Sequence, residues 1–296
     1  MRPLPDHQKG LIVTVMGVLT LTPDSLLVRL IDLEPFTLLV WRGGLQALGV
    51  LAILTLVHRG RVVAQFRAIG RTGILLALVF TGSTLFFILA LAHTAVADVL
   101  VIVAAAPLVA AVLSFCFLGE KVAFRTWLAI AFTLVGIALL VSDDLGSGSI
   151  YGDLAAFGCA ICIGASFTIT RHGRAVSMVP AMALTGALTA IVALPLSLLL
   201  ETDSLALAGT QLGYTLIMGL VVVPISFNLI TLGPRYLPAA EVGLLMLLET
   251  VLGPLWVWLV IDEYPGDLAM AGGGLVVATL AGHAIASGRR RRVAVP

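Results

Sequence analysis

Charge is what this chain has least of: Asp, Glu, Lys and Arg make up 11% of its 296 residues, against 60% hydrophobic ones. That leaves too little polar surface to clothe a soluble globule of this length, and a mean hydropathy of +1.12 says the same. Cysteine is nearly absent too. Cys116, Cys159 and Cys162 cannot build a disulfide framework. Cys159 and Cys162 form a C-x-x-C inside an apolar segment with no histidine nearby, which reads as small-residue packing rather than a redox or metal site. The chain has no G-x-x-x-x-G-K-[ST] loop, so ATP is not the direct energy source. It has no H-E-x-x-H and no serine nucleophile elbow, so no catalytic constellation argues for an enzyme. No metal or cofactor is expected, and a net charge of +1 gives nucleic acid no basic surface to bind.

What the chain has is long apolar runs, at 10–31, 35–57, 72–91, 95–118, 126–141, 151–170, 180–200, 212–232, 239–260 and 267–287. At about 1.5 Å per residue, runs of this order cross a hydrocarbon core of about 30 Å. The expected fold is an all-α polytopic membrane protein of ten transmembrane helices, with the lipid bilayer as its standing partner. The first run is too long for a signal peptide, contains Asp24 and has no A-x-A site after it.

Threading the runs with the N-terminus in the cytoplasm places 15 of the 17 basic residues on one side. They are Arg2, Lys9, Arg59, Arg61, Arg67, Arg71, Lys121, Arg125, Arg171, Arg174, Arg235 and Arg289 to Arg292. The opposite loops hold Asp32, Glu34, Asp143, Asp144, Glu201, Asp203, Asp262, Glu263 and Asp267. The positive-inside rule then expects both termini in the cytoplasm, with the terminal arginine quartet as a topology anchor.

Shifting the chain by about 142 residues lays Gly10 on Gly152, Arg29 on Arg171, Thr84 on Ser226, Asp98 near Glu241 and Glu120 near Glu263. The chain therefore reads as two units, 1–142 and 151–296, joined by a Gly-Ser linker at 143–150. Five spans per unit is an odd number, so the second unit enters the membrane from the other face. Such inverted repeats, enclosing a central cavity near the midplane, are associated with secondary transport by alternating access.

Gly119-Glu120-Lys121 follows the span containing Pro107, and Asp262-Glu263 follows the mirrored span containing Pro254. With Leu21-Thr22-Pro23-Asp24-Ser25 and Arg29, this arrangement resembles the EamA-type carriers of the drug/metabolite transporter superfamily, near the YddG-type bacterial amino-acid exporters. The resemblance covers essentially the whole chain. It implies a ten-helix exporter of small metabolites in the bacterial inner membrane. Ala104, Ala105 and Ala106 before Pro107 imply a wide cavity.

An ionisable side chain at membrane depth costs roughly 2.5–3.5 kcal/mol on insertion scales, so each needs a partner or a wet cavity. Rise per residue puts Asp24, Arg42 and Glu249 at similar heights, slightly outside the midplane. Asp24, Glu249 or both are expected to neutralise Arg42, either as a static ion pair or as a cavity site in which the guanidinium forks onto a substrate carboxylate. Trp41 is a cavity wall or an interface anchor. Phe80, Thr84 and Phe87 share a helical face, Ser226 and Asn228 give the eighth span a polar face, and Met182, Met246 and Trp258 offer adaptable apolar wall. Pro23, Pro107, Pro195, Pro224 and Pro254 interrupt spans, and Pro107 and Pro224 are the leading gating kinks, with fixed packing bends as the alternative. Gly272, Gly273 and Gly274 make a smooth face for the bundle or for a homodimer.

Overall fold

A computed structural model describes residues 6–58, 60–94, 96–140, 149–201, 205–207, 209–262 and 267–293. The helices are α1 (Asp6–Leu21), α2 (Asp24–Ile31), α3 (Pro35–His58), α4 (Val62–His93), α5 (Val96–Val103), α6 (Ala106–Leu118) and α7 (Phe124–Leu140) in the first half. The second half holds α8 (Ile150–His172), α9 (Val179–Leu200), α10 (Gly209–Ile217), α11 (Val223–Leu232), α12 (Ala239–Ile261) and α13 (Asp267–Val293). No strand occurs among the described residues. Among the described residues, eight helical spans are long and apolar enough to cross a bilayer, and Phe124–Leu139 and Met270–Ile285 are shorter apolar helices. The linker at 143–150 falls almost wholly outside the described residues.

The bundle is inside out relative to a soluble protein. Leu199, Phe117 and Leu56 are 81%, 76% and 78% exposed, while Thr14, Thr37 and Ser226 are fully buried. Apolar side chains covering the outside and hydroxyls inside is the arrangement a hydrocarbon solvent demands. The chain is a multi-pass membrane protein.

Several expected spans are broken where backbone chemistry requires it. The first run splits at Thr22-Pro23 into α1 and α2. The fourth is not a single helix kinked at Pro107: it stops at Ala104-Ala105 and restarts, so that Pro107 sits in the first turn of α6, where its missing N–H costs nothing. Pro224 likewise opens α11, behind a π-helical turn, Met218–Val222. The carbonyl that Pro224 cannot bond, that of Leu220, lies 3.0 Å from where a Cβ on Gly49 would sit. A short helical stretch from Val62 precedes the third span and is set off from it by Gly70 (φ 52°, ψ −150°), a conformation reserved for glycine, so the span proper starts close to the expected position 72.

The repeat is visible in three independent places. A Cβ on Gly10 would lie 2.6 Å from Tyr236 Cβ, and one on Gly152 2.5 Å from Thr94 Cβ, so both partners are displaced by the same interval. Gly119 closes α6 in the left-handed region (φ 65°, ψ 15°), and Asp262 closes α12 in the same conformation (φ 65°, ψ 18°). The third lies where α3 meets α9. A Cβ on Gly43 would be 2.6 Å from the Gly186 carbonyl and 3.2 Å from Thr189 Cβ, and one on Gly186 would be 2.6 Å from the Gly43 carbonyl and 3.3 Å from Gln46 Cβ. The contact is reciprocal, as it must be on a local two-fold axis.

Equivalent helices run in opposite directions across that contact. Thr37, near the start of α3, bonds Ser197 near the end of α9 at 2.6 Å, while Gln46, further along α3, bonds the carbonyl of Met182 near the start of α9 at 3.1 Å. Elsewhere α4 packs on α8 and α1 on α11, and α6 on α12 and α7 on α13, each pairing mapping onto itself or its mirror. Gly136 of α7 is packed by the Gly272 carbonyl, so the glycine face of α13 serves the bundle at this position.

Glu201, just past α9, caps α3 from outside its own chain segment. Its two carboxylate oxygens accept from the backbone N–H groups of Phe36 and Thr37, each at 2.6 Å, satisfying donors that helix geometry leaves orphaned behind Pro35. Glu201→Ala is expected to cost about 1–2 kcal/mol, the usual range for a lost N-cap, read as a lowered unfolding midpoint in detergent with transport retained.

Candidate functional site

The break between α1 and α2 presents Asp24 at the start of a helix, where a carboxylate is favoured by the free N–H groups. α3 passes alongside and supplies Arg42, whose Nη2 donates to Asp24 Oδ2 at 2.7 Å. The side chains are 10% and 21% exposed, so this ion pair is enclosed but not sealed. It uses only part of each group. Asp24 Oδ1 and Arg42 Nε have no partner within the protein.

α12 closes the third side. Its Gly253 lies against Ser25, a Cβ there falling 2.5 Å from Ser25 Oγ, and Trp256 Nε1 donates to Thr22 Oγ1 at 2.9 Å. One turn back on the same helix, Glu249 lies within electrostatic reach of both Asp24 and Arg42. Of the two acids, Asp24 makes the contact with the guanidinium. The site thus holds one cation and two carboxyl groups, which can take a carboxylate on the guanidinium fork and an ammonium between the acids.

The remaining expected site residues spread along the bundle. Phe80 meets Phe227 edge to face at a 5.3 Å centroid distance. These two rings line a narrow crevice, with room for about one water molecule, that has Met182, Ser166, Thr170 and Thr231 among its walls. The ion pair does not line this crevice, so Phe80 and Met182 are not neighbours of Arg42. Phe87 shares Phe80's face but packs two turns away, against Ala90, Val99 and Ala156. Met246 packs at the edge of the main core. Trp41 is tied to the rim, its indole donating to the Leu205 carbonyl at 3.1 Å.

Thr84 and Ser226, matched in the repeat, also match in use: each hydroxyl bonds the carbonyl one turn back, Phe80 at 3.2 Å and Val222 at 2.5 Å. Neither is therefore aimed outward. Asn228 differs, being 8% exposed with neither amide atom partnered within the protein. An amide at membrane depth needs hydrogen bonds, so Asn228 has donor and acceptor capacity to offer a solute or water.

Two clusters escaped the sequence reading. Arg171 Nε donates to Glu120 at 2.7 Å and Nη1 to the Pro234 carbonyl at 3.0 Å, tying α8, the end of α6 and the approach to α12. The repeat offered the signal, since Arg171 matches Arg29 and Glu120 matches Glu263, which lies outside the described residues. Glu241 is bonded by His7 at 2.9 Å, with His283 at 4.0 Å.

A duplicated helical bundle with a partly satisfied ion pair enclosed at membrane depth is the construction of a membrane carrier. A family model described as the EamA-like transporter family matches residues 8–142 and again 150–283, and the chain belongs to that family. It is a membrane transporter of small solutes. A crystal structure superimposes on it with a TM-score of 0.80 at 18% sequence identity, covering 95% of this chain and 98% of that one, a likeness of fold alone. No curated protein matches the sequence.

Proposed function

We propose that the chain exports amino acids, or zwitterions of similar size, across a bacterial inner membrane by alternating access, as a relative of the YddG-type exporters. The observation that carries this is the Arg42–Asp24 pair with its spare hydrogen-bonding atoms and Glu249 at hand. A static structural pair gains from full satisfaction, since every unpaired buried polar atom costs about 1–3 kcal/mol. A pair that receives a substrate leaves such atoms open. Asn228 adds a neutral donor and acceptor elsewhere in the bundle.

Alternating access is supported by the antiparallel crossing of α3 and α9, where each half of the chain packs on the other in the same way. The break before Pro107 gives α6 a separable end, and the π-helical turn before Pro224 is a local irregularity within one continuous span. The charge bias of the loops supports cytoplasmic termini.

Purified protein in liposomes tests the reading. Labelled amino acid is expected to enter by counterflow against trapped unlabelled amino acid, and to be blocked by compounds carrying both an ammonium and a carboxylate. Counterflow of nucleosides or neutral drugs, with amino acids inert, would reassign the substrate class.

A further inference from the structure

The second buried cluster lies at the end of the bundle where α1 begins. His7 of α1, 4% exposed, and Glu241 of α12, 8% exposed, share a hydrogen bond of 2.9 Å between Nε2 and Oε2. The other carboxylate oxygen, Oε1, faces Nε2 of His283 on α13 at 4.0 Å. Arg125, at the start of α7, is the remaining charge felt at both Glu241 and His283. α1, α13 and α7 therefore each present a titratable or charged group to the carboxylate carried by α12. Among the described residues no set of His, Cys, Asp and Glu is placed to hold a metal ion. A narrow crevice, with room for about one water molecule, reaches Glu241 and His283 between Leu11, Leu244, Leu245 and Leu280.

The geometry points to a proton-binding site at His7, Glu241 and His283 that couples proton movement to solute transport. A carboxylate flanked by two imidazoles can take a proton from water and hold it between oxygen and nitrogen, or return it, with imidazole the side chain suited to doing so near neutral pH. In a pocket walled by leucines, the net charge after each transfer has no solvent to spread into, so it must change how α1, α12 and α13 sit together. Two of those helices also serve the substrate site. α1 runs through the Pro23 break into Asp24, and α12 carries Glu249 eight residues, about 12 Å, beyond Glu241. A shift of either helix at the proton site is thus felt at the ion pair.

The coupling claim rests on the carrier reading above, so the test separates the two. In proteoliposomes, Glu241→Gln is expected to lower pH-gradient-driven accumulation of labelled amino acid at least about tenfold, while equal-pH counterflow stays within about twofold of wild type. The proposal is overturned if a pH gradient does not drive the wild type although counterflow is present. It is equally overturned if the variant keeps its gradient-driven accumulation, or loses counterflow to the same degree. His7→Asn serves in its place should Glu241→Gln fail to insert. A second measurement needs no substrate: ¹⁵N-histidine NMR of the protein in nanodiscs follows its five imidazoles through pH. Glu241→Gln is expected to move the titration of two of them. Identical titration of all five in both proteins overturns the site, whereas absent counterflow in the wild type overturns only the substrate class.

Discussion

Arg42→Ala is expected to abolish amino-acid transport and to destabilise the protein by about 3–5 kcal/mol, because it strands Asp24 as an enclosed, unpaired carboxylate. The Asp24 side chain is only 10% exposed and the guanidinium is its hydrogen-bond partner at 2.7 Å. The two effects separate in the double variant. Arg42→Ala combined with Asp24→Asn removes the stranded charge, so its unfolding midpoint in detergent should return most of the way to wild type while counterflow stays absent. Recovery of both would make the pair a structural brace. Transport by the single variant at unchanged apparent affinity would exclude the guanidinium from substrate binding.

Gly43→Val carries the second large effect. Its Cβ would enter the Gly186 carbonyl at 2.6 Å and Thr189 Cβ at 3.2 Å, and both are fixed by the helix that bears them. Neither neighbour is the tip of a flexible side chain, so α3 and α9 must part. The expected cost is about 3 kcal/mol or more, at or beyond the upper range for overpacking, with the loss of monodisperse protein on gel filtration as the readout. Gly44 is the control. A Cβ there meets nothing within 4 Å, so Gly44→Val should leave the midpoint near that of wild type. The reciprocal packing predicts one more equality, that Gly186→Val and Gly43→Val are equally damaging.

The spans and the duplication were legible because hydrocarbon imposes a length and a composition that few other environments do. Arg42 could be given an acidic partner from sequence for the same reason, since ionisable residues at matching depth in apolar runs have few places to go, but spacing did not choose between Asp24 and Glu249. Glu241 was visible as an acid at the head of an apolar span, but its partner was not. His7 lies 234 residues away and before the first apolar run, and nothing in spacing connects such residues. Glu201 looked like an ordinary loop acid, since its role as a cap depends on where α9 ends relative to α3. Phe80 and Phe87 show how face sharing misleads. A common stripe on a long helix fixes direction and not height, and these two rings serve different neighbours. The break at Ala104-Ala105 was hidden because hydropathy does not register a change of backbone direction within an apolar stretch.

The meeting of Gly43 and Gly186 lies where each half of the chain sees the other in the same way. A carrier that tips about such a point needs nearly the same energy to lean toward either compartment, since wherever two helices part on one side an equivalent pair closes on the other. The scaffold then contains no valve. Whether solute leaves or enters is decided by what is dissolved on the two sides, and by the positions, His7 and His283 among them, where the halves are chemically unequal.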